Sequence, residues 1–168
     1  MTTLIFIFIF LLGNIIGSFL NVVICRFNSG KTLGGRSMCL SCGNKLKWFE
    51  LIPVISFLIQ LGRCRNCRAK ISWQYLLVEL ATGLIFALIA WHFLPILALS
   101  QNLFVFFVSF IMLIFSLLIV IAVYDIRHKI IPDKLVYFFS FLSLISVFLN
   151  TTGIGSIFIH PSITALLA

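Results

Sequence analysis

Two cysteine pairs, Cys39 with Cys42 and Cys64 with Cys67, are each spaced Cys-x2-Cys and stand 21 residues apart. That is metal-ligand spacing. Zinc takes four thiolates in a tetrahedron, and each short knuckle offers two sulfurs at little strain. Lys45, Lys47, Arg63, Arg65 and Arg68 surround the pairs and offset the negative charge of a tetrathiolate site. Structural zinc, redox-active or free thiols, and disulfides are the three chemistries open to this set; a reducing compartment disfavours the last. Cys25 stands apart at the end of an apolar run and reads as a small buried hydrophobe.

The other reactive groups are carboxylates, and the chain has only four: Glu50, Glu79, Asp125 and Asp133. Asp125 follows an uninterrupted apolar run. At a helix C-terminus it would face the negative end of the macrodipole, a poor place for stability. Ionisable groups at membrane depth are functional candidates by default. The competing reading is an interfacial carboxylate paired with Arg127, His128 or Lys129. Asp133, after Pro132, suits a helix N-cap as well as a catalytic role. Along a continuous helix the two aspartates would be about 12 Å apart, so only a sharply folded connection could make them a dyad. Glu79 falls roughly 10 Å into an apolar helix and needs a partner there, either a structural hydrogen bond or a substrate contact. Glu50, beside Trp48, reads as a solvated interface residue. His92 and His160 read as packing or interface residues.

These groups must be positioned by a membrane protein. The chain is 62% hydrophobic and 10% charged, against about 25% charged in soluble domains. The net charge of +8 does not indicate nucleic-acid binding, because its placement is a topology signal. Nine of the 12 Lys and Arg lie between Arg26 and Lys70, and the rest are Arg127, Lys129 and Lys134. Positive loops stay in the cytoplasm, so an even number of spans separates the two basic segments. The expected fold is all-α, a polytopic bundle with a cytoplasmic cysteine-rich loop between the first two transmembrane helices.

The first helix covers Leu4 to Cys25, long enough to cross a bilayer. It has no basic n-region or convincing cleavage site, so its N-terminus is expected outside. Its small and polar residues, Gly13, Asn14, Gly17, Ser18 and Asn21, share one face and read as a packing face or a substrate groove. Within the basic loop, Leu51 to Leu61 is apolar but too short to span; with Pro53 it suits an interfacial or re-entrant segment. Further helices are expected at Trp73 to Phe93, Leu103 to Tyr124 and Lys134 to Leu149, with a turn near Pro95 to Gln101. The apolar stretch Ser156 to Ala168 reads as the start of a fifth helix cut short. The divisions are therefore 1–25, 26–72 and 73–168.

The segments GSFLNVVICR (17–26), RSMCLSCGNKLKWFELIPVISFL (36–58), GRCRNCRAKISWQYLLVELATG (62–83) and DIRHKIIPDKL (125–135), in this order, resemble the prepilin peptidases of type IV pilus, secretion and competence systems. The resemblance implies an aspartic endopeptidase of the bacterial plasma membrane. Such enzymes remove the leader of prepilin-like substrates and methylate the new N-terminus with S-adenosylmethionine. It makes Asp125 the first catalytic aspartate, with Asp133 and Glu79 supporting, and associates the cysteine region and LVELATG with methyl transfer. The family's second catalytic aspartate lies in a Gly-x-Gly-Asp motif, which these 168 residues do not contain. Aspartic proteases need two neighbouring carboxylates, one protonated and one ionised. The expectation is a C-terminally truncated member with little or no peptidase activity. The alternatives are a non-catalytic membrane module that binds prepilins or assembly proteins, and a methyltransferase without peptidase. The bilayer is an expected partner; the oligomeric state does not follow from the sequence.

Overall fold

A computed structural model describes residues 2–27 and 34–151. They fold into α1 (Thr2–Arg26), α2 (Ile55–Ile59), α3 (Trp73–Leu99), α4 (Gln101–His128) and α5 (Asp133–Thr151), with a 3-10 turn at Trp48–Leu51. No sheet forms among these residues; β-pairing is confined to two isolated bridges, Met38 with Lys45 and Arg63 with Lys70. The architecture is all-α, as expected. Three helices are long and apolar enough to cross a membrane, Thr3–Arg26, Trp73–Leu97 and Gln101–His128. The further span expected near Lys134 to Leu149 falls on α5, 19 residues long. The apolar stretch at 156–168, with His160, lies outside the described residues.

The chain divides into two compact units, Met1–His92 and Phe93–Ala168. In the first, α1 and α3 cross where side chains are smallest. A Cβ on Gly13 would lie 2.7 Å from the Gly83 Cα, and one on Gly17 would lie 2.8 Å from the Glu79 Cα. Backbone therefore packs on backbone, the geometry small residues allow in apolar surroundings. Asn14, Asn21 and Thr82 are buried here. Asn21 Nδ2 donates to the Tyr75 carbonyl at 3.1 Å, and the Thr82 hydroxyl donates to the Val78 carbonyl at 2.7 Å. Cys25 Sγ lies 3.4 Å from the Tyr75 hydroxyl. The small and polar stripe of α1 is thus a packing face. The opposite face, with Leu4, Phe8, Leu11, Ile15 and Phe19, is exposed and suited to lipid.

In the second unit, α4 buries Phe104, Phe107, Val108, Met112, Ser116, Val120 and Tyr124, a stripe at helical spacing, and packs against α5. Two boundaries differ from expectation. Pro95 does not end α3, which runs on to Leu99. A proline this close to the helix end removes a single hydrogen bond, and in apolar surroundings the remaining backbone groups gain by staying helical. The turn reduces to Ser100, whose extended backbone precedes α4. At its other end α4 continues past Tyr124 to His128, and Lys129 takes a left-handed conformation at the C-cap.

Candidate metal centre and acidic residues

Each cysteine pair sits in a knuckle built the same way. In the first, the Cys39 N–H donates to the Asn44 carbonyl and the Gly43 N–H to the Cys39 carbonyl, both at 2.9 Å. In the second, Cys64 donates to Ala69 and Arg68 to Cys64, again at 2.9 Å. Gly43 and Arg68 hold the same register position, and both have positive φ, 68° and 55°. Each knuckle is closed by a bridge one residue before its first cysteine, Met38 with Lys45 and Arg63 with Lys70.

The two knuckles face each other. All four Sγ atoms lie within 4.8 Å of one another, with Cys39 and Cys67 at 3.8 Å. Four sulfurs at 2.3 Å from a tetrahedral zinc would be separated by about 3.8 Å. The bonding distance of a disulfide is about 2.05 Å, and none of the five cysteines is joined in one. The donor set and its spacing fit a zinc ion. Backbone N–H groups of Cys42 and Ser41 lower the Cys39 thiol to about 6, so one thiolate is present at neutral pH. The Ala69 N–H favours the Cys67 thiolate too, but partial desolvation and the neighbouring thiols outweigh it and raise Cys67 to about 11. Cys39 and Cys67 thus differ in how readily each carries charge. Asn66 Nδ2 donates to Cys42 Sγ at 3.7 Å, an outer contact of the kind that orients a ligand.

The acidic residues divide between the units. Glu50 Oε2 accepts the Lys47 N–H at 2.7 Å and so closes the 3-10 turn locally. Phe49 lies between Lys47 and Arg65, whose charged groups are 5.9 Å and 5.5 Å from its ring centroid. This stack ties the turn to the second knuckle.

Glu79 is buried on α3, where its Oε2 accepts the Val54 N–H at 2.7 Å. Val54, the N-cap of α2, has φ 61° and ψ −54°, a strained conformation for a β-branched residue. The carboxylate therefore pins the short apolar segment, shorter than the expected 51–61, to the membrane helix. Glu79→Gln retains an acceptor and is expected to cost less than about 1 kcal/mol. Glu79→Leu strands the Val54 N–H and is expected to cost about 1–3 kcal/mol, seen as a lower unfolding midpoint in detergent.

Asp125 and Asp133 lie in the second unit, both exposed. Asp125 does not close its helix. It sits in the last turn of α4, and its backbone carbonyl accepts the Lys129 N–H at 2.6 Å. Within the same turn, the rings of Tyr124 and His128 are 4.5 Å apart. Asp133 is not an N-cap. The Pro132 carbonyl accepts from Leu135 and Val136 at 2.9 and 3.1 Å, which makes Asp133 the first helical residue, its charge at the positive end of α5. A short connection, residues 129–132, links the two helices. The separation argued from a continuous helix does not apply, because the chain is not one helix here.

Sequence reasoning passed over Asn66, Phe49 and the Arg63–Lys70 bridge. Their signal was the matched register of the two knuckles, which places residue −1 of the first cysteine opposite residue +3 of the second.

Residues 11–93 match the family model of the bacterial peptidase A24 N-terminal domain. Its end falls beside the boundary between the two units. The chain is 39% identical over 131 residues to a prepilin leader peptidase/N-methyltransferase of Myxococcus xanthus, covering 75% of this chain and 35% of that one. Over three quarters of its length the chain is similar to prepilin leader peptidases/N-methyltransferases. Proteins of the same description in Vibrio cholerae and Bacillus subtilis are 36% and 39% identical over 79% and 78% of this chain. The chain spans about half the length of those two, 53% and 50%. No solved structure matches.

Proposed function

We propose that this chain supplies the metal-bearing N-terminal half and one catalytic carboxylate of a prepilin-processing endopeptidase. The similarity to prepilin leader peptidases over three quarters of the chain carries the reading. The acids narrow it: Glu50 and Glu79 each accept a backbone N–H in the first unit, which leaves Asp125 and Asp133 for chemistry. Asp125, exposed on the last turn of α4, is the candidate to hold or activate water. The second member of its pair is proposed to come from a Gly-x-Gly-Asp segment outside these 168 residues, with Asp133 in support. Zinc, held by Cys39, Cys42, Cys64 and Cys67, would cross-link the loop and take no part in peptide cleavage.

The proposed substrates are prepilin-like proteins. N-methyl transfer, the activity in the relatives' second name, is the finer part of the same reading, with S-adenosylmethionine proposed as the donor. The proposed location is the bacterial plasma membrane, with the N-terminus outside and the basic cysteine loop cytoplasmic, because nine cations in that loop resist export.

The test is cleavage of a prepilin in proteoliposomes. The 168-residue polypeptide alone is expected to leave the leader uncut. Joined to the C-terminal segment of a relative that carries Gly-x-Gly-Asp, it is expected to cut, and Asp125→Asn in that chimera is expected to lose at least about 1,000-fold in rate, the scale for a missing catalytic group. A chimera whose cleavage survives Asp125→Asn would refute the assignment. Prepilin binding without cleavage in every form would favour a non-catalytic binding module.

A further inference from the structure

The bridge that closes the second knuckle sets Arg63 directly opposite Lys70. Directly opposed residues point to the same side with Cβ atoms about 5 Å apart, and like charges so placed destabilise the pair. The knuckle does not require this. The first knuckle, in the same register, closes with Met38 opposite Lys45, a single cation. Arg63, the extra cation, and Lys70 line a pocket of about 570 Å³ with Phe57, Leu61, Gly62, Ile71, Ser72 and Trp73. None of these residues is acidic. In the first unit the acids are Glu50 and Glu79, engaged at Lys47 and Val54. No carboxylate of the first unit is left for the pair, so beyond the cysteine thiolates an anion to meet them comes from another molecule.

The position of the pocket says which kind. Trp73 lines it and also begins the membrane-capable stretch Trp73–Leu97, so the pocket opens at the depth of lipid headgroups. Of its lining, Leu61 and Trp73 are exposed apolar side chains, as are Ile55, Leu58 and Ile59 of α2, the helix that supplies Phe57. A free anion would leave these in water, whereas a lipid covers them with its chains while its phosphate meets the two cations. The first turn of α3 adds to this. Its Gln74 N–H is capped by the Ser72 hydroxyl at 3.2 Å, and the positive helix end favours an anion nearby.

We infer that the Arg63–Lys70 pocket binds the phosphate headgroup of an anionic phospholipid from the leaflet that the cysteine loop faces. The lipid would neutralise the opposed cations and hold the knuckle against the membrane at the start of α3.

Fluorescence of Trp73 tests this in the full chain, with Trp48 and Trp91 changed to Phe and the protein reconstituted in phosphatidylcholine vesicles containing 20% brominated phosphatidylglycerol or 20% brominated phosphatidylcholine (about a fifth of the lipid, where charge preference is readable). Quenching by the brominated phosphatidylglycerol is expected to exceed that by the phosphatidylcholine. Arg63→Met, which copies the first knuckle, is expected to keep its metal and lose the preference by about fivefold, the scale for one cation at a membrane surface; Arg63→Met/Lys70→Gln should abolish it. Arg36→Gln/Arg68→Gln removes as much charge without touching the lining and should leave the preference in place. Equal loss in that control would mean a diffuse basic surface and would overturn the site. So would equal quenching by the two lipids in the parent protein, or suppression of the preference by millimolar inorganic phosphate, which would mark a free-anion site.

Discussion

Changing Cys39 and Cys64 together to serine is expected to reduce zinc from one ion per chain to none and to unfold the loop around residues 37–71. The reason is the small apolar core of that loop. Of its side chains only Phe57 and Cys64 are buried hydrophobics, far too little to order so many residues against the entropy of doing so. A structural zinc ion in a small domain contributes an apparent 10–16 kcal/mol, roughly, at neutral pH. Elemental analysis and protease sensitivity of the loop measure the effect. Metal-free wild-type protein from a fresh preparation would refute the assignment. Zinc uptake by stripped protein should weaken as pH falls through about 6, where the Cys39 thiolate becomes protonated. It should strengthen toward alkaline pH, because every ligand must lose its proton to bind.

The second large effect concerns the crossing of α1 and α3. Gly17→Leu would place a Cβ 2.8 Å from the Glu79 Cα. The obstacle is backbone, so no rotamer change can relieve it. The helices must separate, and Asn21, Thr82 and Glu79, all buried, lose their packing with them. The expected loss is about 3 kcal/mol or more, at the upper end for overpacking. It would be read as a lower unfolding midpoint in detergent. Ile15→Ala, on the exposed face of α1, should stay within about 0.5 kcal/mol of wild type. Similar losses for the two variants would show that the glycine face does not carry the helix contact.

Features governed by near neighbours could be read from the chain alone. Cys-x2-Cys spacing defines a knuckle because ligand geometry depends on four consecutive residues. Long apolar runs define helices because a bilayer leaves the backbone no other partners. The glycine and asparagine stripe of α1 followed from a helical period, and its role in packing was one of two readings until the distances to Gly83 and Glu79 decided it.

Other features depended on residues far apart or on a balance at one position. The partner of Glu79 is the N–H of Val54, 25 positions away, and no period connects them. The left-handed turn at Lys129 ends α4 beyond Asp125 and so places Asp125 inside the helix, through one residue's backbone angles. The pairing of the two knuckles put four sulfurs within reach of one ion, and the closure of the second knuckle set Arg63 against Lys70. Composition had placed both cations in a basic loop. Only the folded chain made them neighbours, because strand pairing brings together side chains that an extended chain holds apart.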